Sequence, residues 1–235
     1  MNKSIAFICG DNRQIYLANL FNQNNYKTYT YDLSSEYLSK SCTKCTSLNM
    51  AINSAQYIVF PFRIDCISLM QLSAILPYLN NKTVFGGCIE SELKHLFIQN
   101  NIKYYDYFKD NSVNKLNAIA NAEGSIYYAI NNSTINLHNS NVLVLGYGNC
   151  GSILSHKLKA LGCNVTVTGR TSYSKACACS NMLNYIDLTN INSIINSIHQ
   201  YDFIFNTVPS LILTDNLLSN VKTDCVIIDV ASSPS

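Results

Sequence analysis

Three glycines, Gly146, Gly148 and Gly151, are spaced G-x-G-x-x-G in "VLVLGYGNCG", straight after an apolar run and at the start of a helical pattern. In that context each has a chemical task. Gly146 permits a tight turn, Gly148 lets the backbone approach a diphosphate, and Gly151 lets the helix pack closely on the strand before it. The diphosphate then meets the helix N–H groups and the positive end of the helix dipole. Tyr147, Asn149 and Cys150 fill the positions between and share the nucleotide-binding turn. The next strand-like run, "NVTVTG", is followed by Arg170, Thr171 and Ser172. A carboxylate at this point would accept from the ribose 2′-hydroxyl of NAD and repel the 2′-phosphate of NADP. Here a guanidinium and two hydroxyls stand in its place, which favours NADP. Thr207 and Pro209 come after the run "FIFN", where the nicotinamide ribose lies in such folds. Asp229 ends the last strand, as a site residue or as a cap on the next segment.

Two series of short β-rich runs alternating with helical patterns must position these residues, the rhythm of stacked βαβ units. The first series reads "SIAFICG", "KTYTYDL", "AQYIVFPF", "KTVFGG" and "IKYYDYF", with helices over 12–24, 68–79 and 90–100. One longer helix over 110–131 then precedes "NVLVLG", "NVTVTG", "YDFIFNTVP" and "CVIIDV". The expected fold is α/β: two Rossmann-like, doubly wound parallel-sheet domains joined by a long linking helix. The expected division is a substrate-side domain over 1–109, a helix and linker over 110–138, and an NADP-binding domain over 139–235.

Composition narrows the function classes. Only 13% of the 235 residues are charged, the formal net charge is +2, and no basic stripe points to nucleic acid. No apolar run is long enough to span a bilayer, and the N-terminus lacks the pattern of a signal peptide. Ten cysteines include several inside apolar runs (Cys9, Cys150, Cys225), where a free thiol acts as a small hydrophobe, so a reducing cytoplasm is expected. "CTKC" at 42–45 has no second pair at ligand spacing, so a structural role is expected and no metal.

With the nucleotide domain in view, the chain resembles the A subunits of dipicolinate synthase from spore-forming bacteria. The marks of resemblance are "GDNRQ" (10–14), "VFGG" (84–87), "NAEGSIYYAI" (121–130), the glycine-turn segment 142–170, "FNTVPSLILT" (205–214) and "IIDVASSP" (227–234). The resemblance implies NADP-linked oxidation of dihydrodipicolinate to dipicolinate in the mother-cell cytoplasm. It also implies a partner, the flavoprotein-like B subunit, and an oligomeric assembly. A dicarboxylate substrate wants planar cationic partners. Of the three arginines, Arg170 is assigned to the cofactor, with an exposed loop arginine as the alternative. Arg13 is the first candidate for a substrate carboxylate and Arg63 the second, each with a surface or helix-start ion pair as the alternative. Glu123 is the carboxylate of "AEGS" and the candidate proton acceptor, with a helix-surface role as the alternative.

The chain departs from that family in three places. Cys9 stands where glycine is usual, "PFRID" replaces a stretch richer in Gly, Ser and Thr, and the sequence ends at "SSPS" where relatives continue. That ending leaves a non-catalytic NADP-binding scaffold as a second reading. A 2-hydroxyacid dehydrogenase would need a histidine late in the chain, and His95, His138, His156 and His199 all precede the last strand. A shikimate-dehydrogenase-like role is the remaining alternative, since "GRTS" is similar to the phosphate loop of those enzymes.

Overall fold

The computed structural model describes residues 3–33, 35–62, 64 and 67–231. The chain divides into two compact units, Met1–Val113 and Asn114–Ser235. In the first, β1 (Ser4–Ile8), α1 (Asn12–Gln23), β2 (Lys27–Tyr31), β3 (Thr43–Lys44), α2 (Leu48–Ser54) and β4 (Tyr57–Val59) come in order. They are followed by α3 (Leu69–Ile75), β5 (Thr83–Gly86), α4 (Ser91–Gln99) and β6 (Lys103–Asp106). The sheet order is β3-β2-β1-β4-β5-β6, every pairing parallel.

Side chains alternate across a strand, and β1 shows the consequence. Ala6 and Ile8 enter one core with Ile58, Phe60 and Val84, while Ile5 and Phe7 enter another with Ile15, Ala18 and Val59. The second core is thinner at one side. Tyr57 and Phe85 are half-buried there, Tyr105 is exposed, and Phe85 stacks on Tyr105 at 5.4 Å. A hollow of about 240 Å³ opens among Ile5, Leu17, Phe21, Val59, Phe85 and Tyr107.

The cysteine pair at 42–45 brackets β3. Cys42 packs in the core with Ile5 and Phe7, Cys45 in the core with Ala6 and Ile8. The two thiols therefore lie on opposite faces of the sheet, and burial pushes both above the usual thiol range. Cys9 corrects the expectation of a free thiol: it is disulfide-bonded, while the other eight cysteines of the described residues form no disulfide. Its φ of 43° lies in the left-handed region that favours glycine, and Gly10 follows at φ 112°. That accounts physically for the glycine usual at position 9 in the family it resembles.

α5 (Asn111–Asn131) leads into β7 (Asn141–Leu145), α6 (Asn149–Ala160), β8 (Asn164–Gly169), α7 (Ser172–Ser180) and β9 (Asn184–Asp187). Then come α8 (Ile191–Ser197), β10 (Phe203–Asn206), α9 (Asp215–Leu218) and β11 (Val226–Asp229). The second sheet runs β11-β10-β7-β8-β9, again all parallel. α5 buries Ala118, Ala122, Ser125 and Ala129, and Ala122 and Ala129 join the second unit's core with Val142, Val144 and Leu154. The two parallel α/β sheets carry the fold expected from sequence. Elements the periodicity did not show are β3, α2, α7, β9 and the short helices α8 and α9. α7 ("SYSKACACS") is set by its start: Thr171 and Ser174 form a reciprocal capping box over a narrow apolar face.

Candidate functional site

In the second sheet the chain reverses its direction of travel between β7 and β10, and loops after these strands meet at their carboxyl ends. This is the position at which open α/β sheets bind ligands. The glycine turn sits there. Gly146 adopts φ 93°, and a Cβ on it would stand 2.6 Å from Thr207 Oγ1. A Cβ on Gly151 would stand 2.2 Å from the Gly146 carbonyl oxygen, so only glycine lets α6 start this close to β7.

Two threonines hold the turn from either side. Thr168, fully buried in β8, accepts the Gly146 N–H through Oγ1 at 3.0 Å. Thr207, after β10, gives both its N–H and its hydroxyl to the Leu145 carbonyl, each at 2.9 Å. Its hydroxyl thus clamps the strand and turns inward.

Gly148 differs from its two neighbours. Nothing lies within 4 Å of where its Cβ would be, and it begins α6 with no side chain capping the helix. The first N–H groups of a helix have no partner within it. Here the space at Gly148 is open and Asn149 is exposed, so the helix start is a cradle that fits a diphosphate. The contrast with the first unit is direct. There the helix after the first strand is capped by Asp11, whose carboxylate accepts the Arg13 N–H at 2.9 Å and puts a negative charge where an anion would bind.

Tyr147 packs against the core of the second unit, and burial raises its phenol pKa. Burial likewise pushes the Cys150 thiol up, so this cysteine is not an activated nucleophile.

Arg170 follows β8 with an exposed side chain, and among the described residues it pairs with no carboxylate. Its Nη2 donates to Ser210 Oγ at 3.3 Å. Since β8 and β10 flank β7, this side chain reaches from one neighbour of the glycine turn toward the other. Thr171 caps α7 by accepting from the Ser174 N–H at 3.0 Å, while Ser172 is exposed. The nearest acid in the ladder, Asp187, pairs in register with Gly169. It accepts from the Thr189 hydroxyl at 2.6 Å and from the Thr189 N–H, and these bonds, with Lys175 nearby, lower its pKa.

Beyond Thr207, Pro209 is exposed at the rim. Asp229 accepts from the Asn206 amide at 3.2 Å and from the Ala231 N–H at 3.0 Å, so it caps the segment after β11. Asn206, almost wholly buried, in turn accepts the Val208 N–H at 3.1 Å. Asp229 therefore works on the rim through Asn206.

The structure gives Glu123 a different setting from the one its motif suggests. It is exposed on α5 and paired with Lys157 at 2.8 Å, about two turns along α6 from the glycine turn. An exposed carboxylate engaged by an ammonium is the setting of the helix-surface alternative.

Arg13 lies at the strand ends of the first unit. Its Nε and Nη2 both bond Asp11, at 3.1 and 2.7 Å, and its guanidinium stands 5.7 Å from the Phe62 ring centre. Arg63 lies outside the described residues. Tyr107, not foreseen from sequence, joins Arg13 here: its phenol is pushed up to about 12, because burial outweighs the lowering pull of the Arg13 charge. Gly87 makes room for it, since a Cβ there would stand 2.8 Å from the Tyr107 ring. Thr168 and Ser210 were also unforeseen, because a threonine in a strand and a serine in a loop carry no spacing signal.

Known proteins match both units. Residues 4–108 match the family described as the N-terminal domain of the dipicolinate synthase A subunit, and residues 129–234 match shikimate / quinate 5-dehydrogenase. The A subunit of dipicolinate synthase from Bacillus subtilis (strain 168) is 30% identical over 151 residues, 64% of this chain and 50% of that protein. The aligned stretch thus spans half the length of this curated relative. A crystal structure of the dipicolinate synthase A subunit from Bacillus halodurans superposes with a TM-score of 0.85 at 23% identity, covering 100% of this chain and 84% of that one. A transhydrogenase from Sinorhizobium meliloti shares the fold more distantly, with a TM-score of 0.66 at 14% identity over 95% of this chain and 77% of that one. A nicotinamide cofactor is implied by the dehydrogenase-type second unit, and no helix among the described residues is long and apolar enough to cross a membrane. With a first unit matching the N-terminal domain of the dipicolinate synthase A subunit, and a second matching the shikimate and quinate dehydrogenases, the chain as a whole resembles the A subunits of dipicolinate synthase.

Proposed function

We propose that this chain is the NADP-dependent A subunit of a dipicolinate synthase, oxidising dihydrodipicolinate to dipicolinate in the mother-cell cytoplasm beside a flavoprotein-like B subunit. The observation that carries the coenzyme assignment is Arg170. It is an exposed guanidinium, free of carboxylate partners among the described residues, at the end of the strand next to the open cradle at Gly148. The substrate assignment rests on the match of the first unit.

The bound nicotinamide supplies a hydride acceptor. The chain's own residues bind and orient: the α6 amides and Gly148 seat the diphosphate, Arg170 takes the 2′-phosphate, and Asn206 with Asp229 shapes the rim near the nicotinamide ribose. Arg13 takes a substrate carboxylate on the guanidinium edge not already bonded to Asp11. The oxidation removes one hydride and one proton and leaves an aromatic ring. With Glu123 engaged by Lys157, the proton goes to water, and the protein's contribution is proximity and orientation.

The test is NADPH formation, followed by absorbance, from dihydrodipicolinate generated in the same cuvette, with the B subunit present and absent. Reduction of NADP but not of NAD is expected. No reduction of either coenzyme, alongside intact NADP binding, would favour the scaffold reading.

A further inference from the structure

α5 has two faces of different fate. One is buried at Ala118, Ala122, Ser125 and Ala129, and Ala122 and Ala129 join the core of the second unit. On the other, Leu116 is 67% exposed, Ile119 38%, Tyr127 60% and Ile130 57%. At about 100° per residue these four side chains and Glu123 fall in one stripe roughly 80° wide. Four large exposed apolar side chains set around one charged pair on a helix surface make a candidate interaction face.

We propose that the stripe is the contact face of a two-fold dimer, in which α5 packs antiparallel against α5 of a second copy. The order of residues is the first reason. Ile119 and Tyr127 stand four places either side of Glu123, and Leu116 and Ile130 seven places either side. A two-fold axis places residue i of one copy against residue j of the other, and j against i, so one face supplies both sides of every contact. With the axis at Glu123, Leu116 meets the second copy's Ile130 and Ile119 meets its Tyr127.

Charge at the centre is the second reason. Each copy brings one carboxylate and one ammonium to the axis, Glu123 and Lys157, 2.8 Å apart and with side chains 61% and 35% exposed. Two such pairs related by a two-fold axis are complementary: each Glu123 meets the Lys157 of the other copy as well as its own. A lone charge at that point would meet its like. Tyr128, 59% exposed and in ring contact with Tyr127 at 5.4 Å, extends the face at its edge.

The test is sedimentation velocity on the full chain over about 1–100 μM, a span that brackets a dimer of ordinary affinity. A dimer is expected for the native chain. Ile119→Asp places two like charges inside the contact and should weaken the dimer at least tenfold while the far-ultraviolet circular dichroism stays unchanged. Tyr16→Asp, at a 72%-exposed site of the first unit, should leave the dimer intact. Lys157→Glu alone should dissociate it, and the exchange Glu123→Lys with Lys157→Glu should restore it. A native chain that stays monomeric throughout overturns the proposal, as does a dimer indifferent to Ile119→Asp in a folded protein.

Discussion

Arg170 is a guanidinium with no carboxylate to satisfy it among the described residues, held only by a 3.3 Å bond to Ser210. A phosphate is the stronger acceptor, and one charge-assisted bond contributes about 1.5–3 kcal/mol. Arg170→Ala should therefore weaken NADP roughly ten- to a hundredfold and NAD hardly at all, measured by titration calorimetry. Equal losses for both would remove the residue from coenzyme choice. The glycines offer a second contrast. A methyl at Gly151 would collide with the Gly146 carbonyl at 2.2 Å, so Gly151→Ala should lower the melting temperature by several degrees, of the order expected for about 1–3 kcal/mol of overpacking. A methyl at Gly148 meets no protein atom within 4 Å. Gly148→Ala should melt within about a degree of the native protein yet bind either coenzyme more weakly, because the methyl stands where the diphosphate belongs.

At the scale of elements, β10 is tied to β7 by more than its ladder. Asp202, just before β10, accepts from the Asn141 N–H at 2.7 Å and pairs with Lys222. Burial works to raise the Asp202 pKa, but the bonds from Lys222 and Asn141 outweigh it and hold the carboxyl below its usual range. A lowered folded-state pKa gives stability that is whole above the unfolded value near 4 and is lost as pH falls through the folded value. Asp202→Asn should cost about 1.5–3 kcal/mol near neutral pH and flatten that acid limb, measured by urea unfolding from pH 7 to 3.

The elements also show what a sequence makes readable. β7 and β10 are central strands covered on both faces, so "NVLVL" and "FIFN" are nearly unbroken apolar runs and stand out. β3 has two residues and β9 is only half-buried, so neither carries enough pattern to be seen. The glycine turn is legible because each glycine answers a steric demand. Thr168, Tyr107 and Ser210 are not, because their roles depend on partners far away in the chain: Thr168 reaches Gly146, Tyr107 packs on Gly87, and Ser210 meets Arg170.

On the scale of the whole molecule, the two sheets have separate hydrogen-bonded ladders and each unit has its own cores. A ligand that binds one native unit stabilises that unit by mass action. Calorimetry should resolve two unfolding transitions, with NADP raising only one. Limited proteolysis of the heated sample should identify the protected fragment as residues 114–235. One merged transition shifting as a whole would show that the units unfold together.

The thinly covered side of the first sheet has a practical result. Tyr57, Phe85 and Tyr105 lay a strip of rings across three adjoining strands, with centroids 6.3 and 5.4 Å apart, next to the hollow behind α1. Water wets such a strip poorly, so ammonium sulfate should salt this protein out early and phenyl resin should retain it. Because the chain has no tryptophan, a detergent monomer lodging in the hollow should announce itself in tyrosine emission alone.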